Sequence, residues 1–178
     1  QKGAQIRGAG AESTLLQRTA NYGDTLKIGT TAAGEGALNC HVSGIWFYKP
    51  QTYVAGTTTT ITNPVTAGSA HLNITVASRA TVEDCWFTNM PYGVTWYGSS
   101  LGKVKGCNFT GIWDPNIAGL QEGIAAIWFK AAGSYNVLMA VDDCHVAGGY
   151  GSANRNVVVG TATLNFSESI GQRYGILV

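Results

Sequence analysis

Apolar and polar residues alternate in short segments along most of the chain. In the segment 71–76, Leu72, Ile74 and Val76 stand two residues apart and are separated by polar residues. A period of two predicts β-strands whose alternate side chains face one interior. Gly, Asn and Asp, which tolerate a positive φ, recur between such segments. The pattern therefore predicts an all-β chain of short strands joined by tight bends.

Four cysteines mark an internal repeat. Their surroundings read ALNCHVSG, VEDCWFTN, VKGCNFTG and VDDCHVAG, for Cys40, Cys85, Cys107 and Cys144. Each copy has Asn, Asp or Gly directly before the cysteine and Val or Phe two residues after it. Residues two apart share one face of a strand, so each copy predicts a bend followed by a strand with two inward apolar side chains. On this alignment Asp84 and Asp143 have a turn role, at positions equivalent to Asn39 and Gly106.

The spacing of the repeat predicts a stack of coils. Cys85 and Cys107 are 22 residues apart, whereas the other two gaps of 45 and 37 residues contain insertions at about 50–69 and 112–122. A single coil cannot bury its own apolar face, but stacked coils can. We therefore expect one parallel β-helix domain over residues 1–178, of about six coils, with the cysteines in an internal column. A β-sandwich would call for Asn-Gly or Asp-Gly hairpin turns, and the sequence contains neither.

The composition narrows the range of functions. Charged residues make up 12% of the chain and the net charge is +1, which predicts no nucleic-acid partner. No apolar run approaches the roughly 20 residues that a membrane-spanning helix needs, so no membrane insertion is expected. The chain has no C-x-x-C motif and no histidine at zinc-finger spacing, so we expect free buried thiols, no metal and no cofactor.

Several motifs resemble those of one superfamily. The rung pattern V-x-(D/G)-C-x-F-x-(N/G) begins at Val82 and Val104, and an opening of the form I-x-G-x-G followed by Ser-Thr-Leu begins at Ile6. Together with GDTLKIG and NCHVSGIWF, these motifs resemble the right-handed parallel β-helix of pectate-lyase-like proteins. The likeness is nearer still to bacteriophage tailspikes and related surface-polysaccharide depolymerases.

The resemblance carries expectations beyond the fold. It implies a fragment of a longer helix, a homotrimer, and a place in the virion tail of a phage or prophage, or else a secreted location. Its implied partner is a bacterial surface polysaccharide, either capsule or lipopolysaccharide. A trimer would also account for the sparse charge of the chain.

A pair of acids is the first candidate site. Glycoside hydrolysis uses two carboxylates, one protonated and one ionised. Asp114 and Glu122 flank the insertion WDPNIAGLQE beside Trp113, and they are our candidates for general acid and for nucleophile or base. The alternative is a solvated loop. Glu83 and Asp142, with Lys105 at the equivalent position, are expected to form an outward charge column.

Aromatic residues are the second candidate site, because Trp and Tyr rings stack on the apolar face of a sugar. Trp86 is predicted to point outward, at a position where the cysteine alignment places His41, Asn108 and His145 in the other coils. Further candidates for carbohydrate binding are Trp113, Tyr97 and Tyr150. The remaining tryptophans of strand-like runs are predicted to lie in the core or an interface: Trp46, Trp96 and Trp128.

Three functions remain open at this stage. The first is a tailspike or receptor-binding segment that recognises a surface polysaccharide and could also cleave it, by hydrolysis in preference to elimination. The second is a non-catalytic shaft or adhesin. The third is a stand-alone pectate-lyase-like polysaccharide lyase. β-Helices serve all three, so the fold alone does not choose among them.

Overall fold

A computed structural model describes most of the regular part of the chain. It covers residues 3–19, 23–29, 37–49, 52–53, 58–62, 69–88, 90, 92–99, 101–110, 125–130, 138–146, 155–159, 162–166 and 174–177. These residues form 21 β-strands and no helix. The all-β class predicted from the sequence is therefore confirmed.

The strands follow one another in five passes along the chain. The first pass consists of β1 (Gln5–Arg7), β2 (Leu15–Gln17) and β3 (Leu26–Gly29). The second consists of β4 (Ala37–Leu38), β5 (His41–Ser43), β6 (Trp46–Tyr48), β7 (Thr52–Tyr53), β8 (Thr58–Thr62) and β9 (Ala70–Thr75). The third consists of β10 (Ala77–Ser78), β11 (Thr81–Glu83), β12 (Trp86–Thr88) and β13 (Tyr92–Tyr97). The fourth consists of β14 (Lys103–Lys105), β15 (Asn108–Thr110) and β16 (Ala125–Lys130). The fifth consists of β17 (Ala140–Asp142), β18 (His145–Val146), β19 (Arg155–Val159), β20 (Ala162–Phe166) and β21 (Tyr174–Leu177).

Each pass contributes one strand to each of three parallel sheets. Sheet I has the order β1-β5-β11-β14-β17, sheet II the order β2-β6-β12-β15-β18, and sheet III the order β3-β9-β13-β16-β21. Strands of consecutive passes are therefore neighbours, and all of these pairings are parallel. This topology is compatible with the predicted β-helix. The described residues give five strands to each sheet, where the repeat predicted about six coils.

One hydrophobic core joins the three sheets. It takes inward side chains from each sheet and from the bends between them. Sheet II contributes a ladder of stacked rings, with Phe47 and Phe87 at 5.0 Å and Phe87 and Phe109 at 4.9 Å between ring centroids. A Cβ atom at Gly93 would lie only 2.4 Å from the Phe109 ring, so this position in β13 requires glycine. Trp96 is fully buried, which confirms its predicted place in the core.

The cysteine column is correct for three copies of the repeat and wrong for the first. The Sγ atoms of Cys85, Cys107 and Cys144 each lie 3.3 Å from the carbonyl oxygen two residues earlier, between sheets I and II. In the second pass, Ile45 occupies the position equivalent to Cys85, because the residues that follow them, Trp46 and Trp86, pair with each other. Cys40 lies one bend earlier, where the next pass has Ala80.

The misalignment has a physical cause. Both bends of a pass combine a residue of positive φ with a small or apolar inward residue and a short strand, so the two bends have the same local pattern. Asn39, with φ 53°, precedes sheet I, whereas Asp84, with φ 52°, precedes sheet II. The equivalent of Asp84 in the second pass is Gly44, with φ 64°. The turn role predicted for Asp84 and Asp143 is confirmed, since both have positive φ.

The thiols are free in the described residues, as predicted. Cys40, Cys85 and Cys107 are buried, and Cys144 is partly buried. The hydrogen-bonded sulfurs of Cys144 and Cys85, together with burial, raise the pKa of the Cys107 thiol. Cys107 therefore stays protonated near neutral pH and acts as a small apolar core residue.

The outer face of sheet I carries the predicted charge column. Glu83, Lys105 and Asp142 are consecutive in the strand register. Lys105 Nζ lies 3.6 Å from a Glu83 oxygen, and Lys103 Nζ lies 3.6 Å from an Asp142 oxygen. His41 Nε2 lies 3.4 Å from the other Glu83 oxygen. Exposed pairs of this kind contribute little stability each, so they serve mainly to keep this face polar.

Long connections leave the stack at one corner, between sheets II and III. They follow β6, β15 and β18 and return at β9, β16 and β21. The first connection, predicted as an insertion loop, contains β7 and β8, and the last contains β19 and β20. These four strands form a separate sheet in which β8 and β19 pair in parallel. Strands of the second and fifth passes therefore meet outside the main stack.

We expect Leu101→Asn to stabilise the protein. Leu101 has φ 55° and is 45% exposed, in the bend column where the second pass has Asn39. A left-handed residue other than glycine costs roughly 1–2 kcal/mol, and Asn tolerates this region better than Leu. The free energy of unfolding, measured with denaturant, should rise by about 0.5 kcal/mol. Leu15→Asn is the control, because Leu15 is 50% exposed on a strand and should give no gain. A clear loss of stability in Leu101→Asn would contradict this account.

His71 should make the fold sensitive to acid. The ring is fully buried, with Nε2 donating to the Thr88 carbonyl at 2.7 Å and Nδ1 accepting from the Thr25 hydroxyl at 3.1 Å. Burial, assisted by the positive charge of Arg18, lowers the pKa of His71 to about 3. The unfolded chain therefore binds a proton below pH 6.5 that the folded chain does not.

The stabilisation by neutral His71 is present above about pH 6.5 and is lost as the pH falls, by about 1.4 kcal/mol per unit. Urea unfolding of the wild type and of His71→Gln, measured from neutral pH to pH 4.5, tests this. The advantage of the wild type should shrink steadily as the pH falls. Parallel stability curves for the two proteins would exclude His71 as the source.

Candidate binding surfaces on two sheet faces

The residues predicted as functional fall into two groups. Asp114, Glu122, Trp113 and Tyr150 lie outside the described residues, in the segments that join β15 to β16 and β18 to β19. Trp86 and Tyr97 are described, and they lie on the outer faces of sheets II and III. The structure therefore gives geometry for the aromatic candidates and none for the acid pair.

Trp86 lies in an aromatic row on the outer face of sheet II. Alternation along β12 buries Phe87 and turns Trp86 and Thr88 outward, where both are half-buried. The register places Trp86 between Trp46 and Asn108 on the neighbouring strands. The cysteine alignment was wrong in giving His41 as the neighbour, because His41 belongs to sheet I. Trp46, predicted for the core or an interface, is thus on the same outer face as Trp86.

Contacts among these side chains fix their geometry. The Trp46 and Trp86 rings meet edge to face, with centroids 5.8 Å apart at 70°. Tyr48 lies 5.4 Å from Trp46. The indole Nε1 of Trp46 donates to the Thr88 hydroxyl at 3.0 Å, and that hydroxyl lies 3.2 Å from the Thr110 hydroxyl. The aromatic rings are therefore held in place before any ligand arrives.

These residues surround a shallow depression of about 340 Å³. It is lined by Trp46, Trp86, Thr88, Asn108 and Thr110, and we call it the tryptophan face. None of the lining residues is charged. Indole rings offer flat apolar surface, while the hydroxyl and amide groups offer hydrogen bonds at its edge. This combination suits an uncharged ring that has an apolar face and a hydroxylated rim.

A second depression, of about 220 Å³, lies on the outer face of sheet III. It is lined by Lys27, Asn73, Thr75, Thr95, Tyr97, Trp128 and Lys130, and we call it the lysine face. Trp128, predicted for the core or an interface, is half-buried here. Its ring stacks on Tyr92 with centroids 4.9 Å apart, and Lys130 Nζ lies over it at 4.8 Å from the centroid.

Hydrogen bonds also order the polar centre of the lysine face. The Asn73 amide nitrogen donates to Asp24 Oδ2 at 2.6 Å, and its oxygen accepts from the Thr75 hydroxyl at 3.0 Å. Asp24 Oδ1 accepts from the backbone N–H of Ala70 at 3.0 Å. Both carboxylate oxygens of Asp24 are therefore engaged in holding the sheet and the amide in place.

Sequence reasoning missed the pairing of Trp46 with Trp86, although a signal for it was present. The segments WFY at 46–48, WFT at 86–88 and NFT at 108–110 align without gaps. Aligning these strands, in place of the cysteines, would have put the two tryptophans side by side. Cysteine is rare in the chain, so the four cysteines suggest an alignment by themselves. The bend before sheet I and the bend before sheet II nevertheless have the same local pattern.

The described part of the chain contains no cluster of three or more His, Cys, Asp or Glu side chains placed to hold a metal ion. It also contains no helix that is long and apolar enough to cross a membrane.

Comparison with known proteins gives a likeness in fold. No family model matches the chain, and no curated protein matches it. A solved structure described as "Geobacillus virus E2 - ORF18" superposes with a TM-score of 0.59 at 11% sequence identity. The match covers 86% of this chain and 28% of that one, so this chain spans less than a third of the viral protein. At this level of identity the likeness shows that the two chains share a fold.

Proposed function

We propose that this chain is a segment of a phage tailspike or receptor-binding protein that binds a bacterial surface polysaccharide. In this proposal the three sheets are the faces of a right-handed parallel β-helix. The observation that carries it is the tryptophan face, where Trp46 and Trp86 stand half-buried on the outside of a rigid sheet. A tryptophan pair on an outer strand face leaves apolar ring surface in contact with water. The apolar face of a sugar ring can cover that surface.

The scaffold beneath the tryptophan face supports a binding role. Each outward tryptophan alternates with an inward phenylalanine of the stacked ladder, so Phe47 and Phe87 fix the strands from below. Equivalent side chains on neighbouring strands repeat at about 4.8 Å. An extended glycan lying across the strands would therefore meet ring, ring and amide in succession, at Trp46, Trp86 and Asn108.

The viral neighbour supports the phage part of the proposal. Its description names a virus protein and assigns it no activity, so it favours phage origin without choosing a role. A homotrimer in the virion tail agrees with the sparse charge of the chain, which has 12% charged residues. Copies packed side by side would cover outer faces that a monomer leaves in water.

Cleavage of the polysaccharide is the second part of the proposal, with Asp114 and Glu122 as the acid pair. Chain connectivity favours Asp114, because β15 ends at Thr110 in the tryptophan face and Asp114 follows four residues later. Four residues span at most about 14 Å, so Asp114 stays within reach of a glycan bound there. A non-catalytic shaft or adhesin is the alternative, and it would use the same face for binding alone.

Removal of one indole ring should weaken glycan binding. In Trp86→Ala, affinity for a host capsule or lipopolysaccharide fragment should fall about tenfold, which corresponds to about 1.4 kcal/mol. Trp86→Phe keeps an aromatic face and should retain most of the affinity. Isothermal titration against the fragment measures both variants, with Lys105→Gln on sheet I as the control for surface changes. Unchanged affinity in Trp46→Ala and Trp86→Ala together would refute the tryptophan face as the site.

A product assay separates cleavage from binding. The purified protein is incubated with the polysaccharide, while new reducing ends and the ultraviolet absorbance of unsaturated uronates are followed. Hydrolysis should give reducing ends without absorbance, and this activity should be lost in Asp114→Asn and in Glu122→Gln. Full activity in either variant would remove that residue from the proposed pair. Binding without any product would favour the adhesin.

A further inference from the structure

We infer that the lysine face is a second binding site, and that it takes an oligosaccharide bearing carboxylate groups. Its residues lie on sheet III, whereas the tryptophan face lies on sheet II, so the two surfaces share no side chain. The inference goes beyond the proposed function because it assigns a second site with a different ligand class. It also stands on separate residues.

The two lysines stand at opposite ends of the surface. Lys27 is on β3 and Lys130 on β16, with β9 and β13 between them. Three strand spacings and a shift of two residues along the strand put their Cα atoms about 16 Å apart. Side chains leave a sheet roughly perpendicular to it, so the two ammonium groups do not converge on one small anion. The separation fits charges distributed along an extended chain.

The described surface between the lysines is lined by polar, uncharged residues. These are Asn73, Tyr97 and two nearly buried threonines, Thr75 and Thr95. These groups can donate to and accept from sugar hydroxyls, while the lysines can donate to carboxylates. A polar, elongated surface with a cation at each end is therefore complementary to an acidic oligosaccharide.

Among the described residues, Asp24 is the carboxylate that is hydrogen-bonded to this surface, through the Asn73 amide, and its negative charge opposes anion binding. Both of its oxygens already accept hydrogen bonds, from the Ala70 N–H and the Asn73 amide. The Arg18 guanidinium also donates to the backbone carbonyl of Asp24. Among the described residues, two lysines and an arginine therefore lie near this one engaged carboxylate.

Lys130 is held in position before ligand binding. Its ammonium group lies 4.8 Å from the centre of the Trp128 ring, and Trp128 in turn stacks on the buried ring of Tyr92. Such a cation–π contact reduces the freedom of the lysine side chain. A positioned cation loses less entropy on binding than a free one.

The test compares three acidic oligosaccharides, one of them alongside its uncharged ester of the same length. Tetragalacturonate, its methyl ester, a hyaluronan hexasaccharide and an oligosialic acid are titrated against the whole chain by calorimetry. At least one of the three acids should bind, and the ester should bind about tenfold more weakly than its acid if galacturonate is the ligand. Binding of the acid should weaken as salt is raised.

Charge-removing variants then locate the site. Lys27→Gln and Lys130→Gln should each lower affinity for the acid about fivefold, as expected for loss of one solvent-exposed ion pair. Lys103→Gln and Lys105→Gln are matched controls, since they remove the same charge from sheet I and should have no effect. Trp86→Ala should also leave binding of the acid unchanged.

The outcomes separate this inference from the proposed function. Equal losses in the sheet I controls would show non-specific attraction and overturn the second site. Failure of all three acids to bind would also overturn the second site. Binding of inorganic phosphate with the same affinity as the acids would overturn it too. Loss of binding in Trp86→Ala, with Lys27→Gln and Lys130→Gln unaffected, would overturn the second site and leave the tryptophan face standing. The reverse pattern is the expected result, and the tryptophan face then depends on its own test with a capsule or lipopolysaccharide fragment.

Discussion

The parallel, in-register pairing of equivalent strands is the constraint on which the rest of the structure depends. In sheet I this register stacks Val42 on Val82 and Val82 on Val104, and in sheet II it stacks the three phenylalanines of the ladder. A shift of one residue would exchange every inward side chain for an outward one. The hydrophobic core therefore holds the register, and the register in turn aligns everything on the outside.

The same register gives the three outer faces different chemistry. Sheet I carries the column of Glu83, Lys105 and Asp142, in which negative and positive charges alternate. Sheet II carries neutral aromatic and hydroxyl groups, and sheet III carries two lysines around a polar centre. Because the inward positions form the core, residues that bind or react with a ligand can occupy two places on such a scaffold. These places are the outward strand positions and the connections between strands.

The connections are concentrated at the corner between sheets II and III. The segments after β6, β15 and β18 are much longer than the bends elsewhere, and two of them carry the strands of the separate sheet. Asp114, Glu122 and Trp113 belong to the middle one of these segments. The two candidate faces flank this corner, so a glycan on either would lie next to the connections. Binding on rigid strands with chemistry supplied from loops is a common division of labour in proteins.

The sequence by itself determined the all-β class, the repeat and the bends, because these depend on local properties. The period-two pattern, the φ preferences of Asp84 and Gly106, and the outward direction of Trp86 follow from a residue and its near neighbours. The charge column on sheet I was also predictable, since Glu83, Lys105 and Asp142 occupy the same place in their repeats. The catalytic role of Asp114 and Glu122 and the binding role of Trp113 and Tyr150 stay predictions.

Only the tertiary structure decided which residues are neighbours across passes. Both bends of a pass have the same local pattern, so the sequence could not tell that Ile45, and not Cys40, continues the cysteine column. The pairing depends on which side chains fill the core together, and these side chains lie about 40 residues apart in the sequence. It is the same pairing that placed Trp46 beside Trp86 and brought Lys27 and Lys130 onto one face. The candidate binding surfaces of this chain are therefore products of long-range register, which short sequence patterns do not encode.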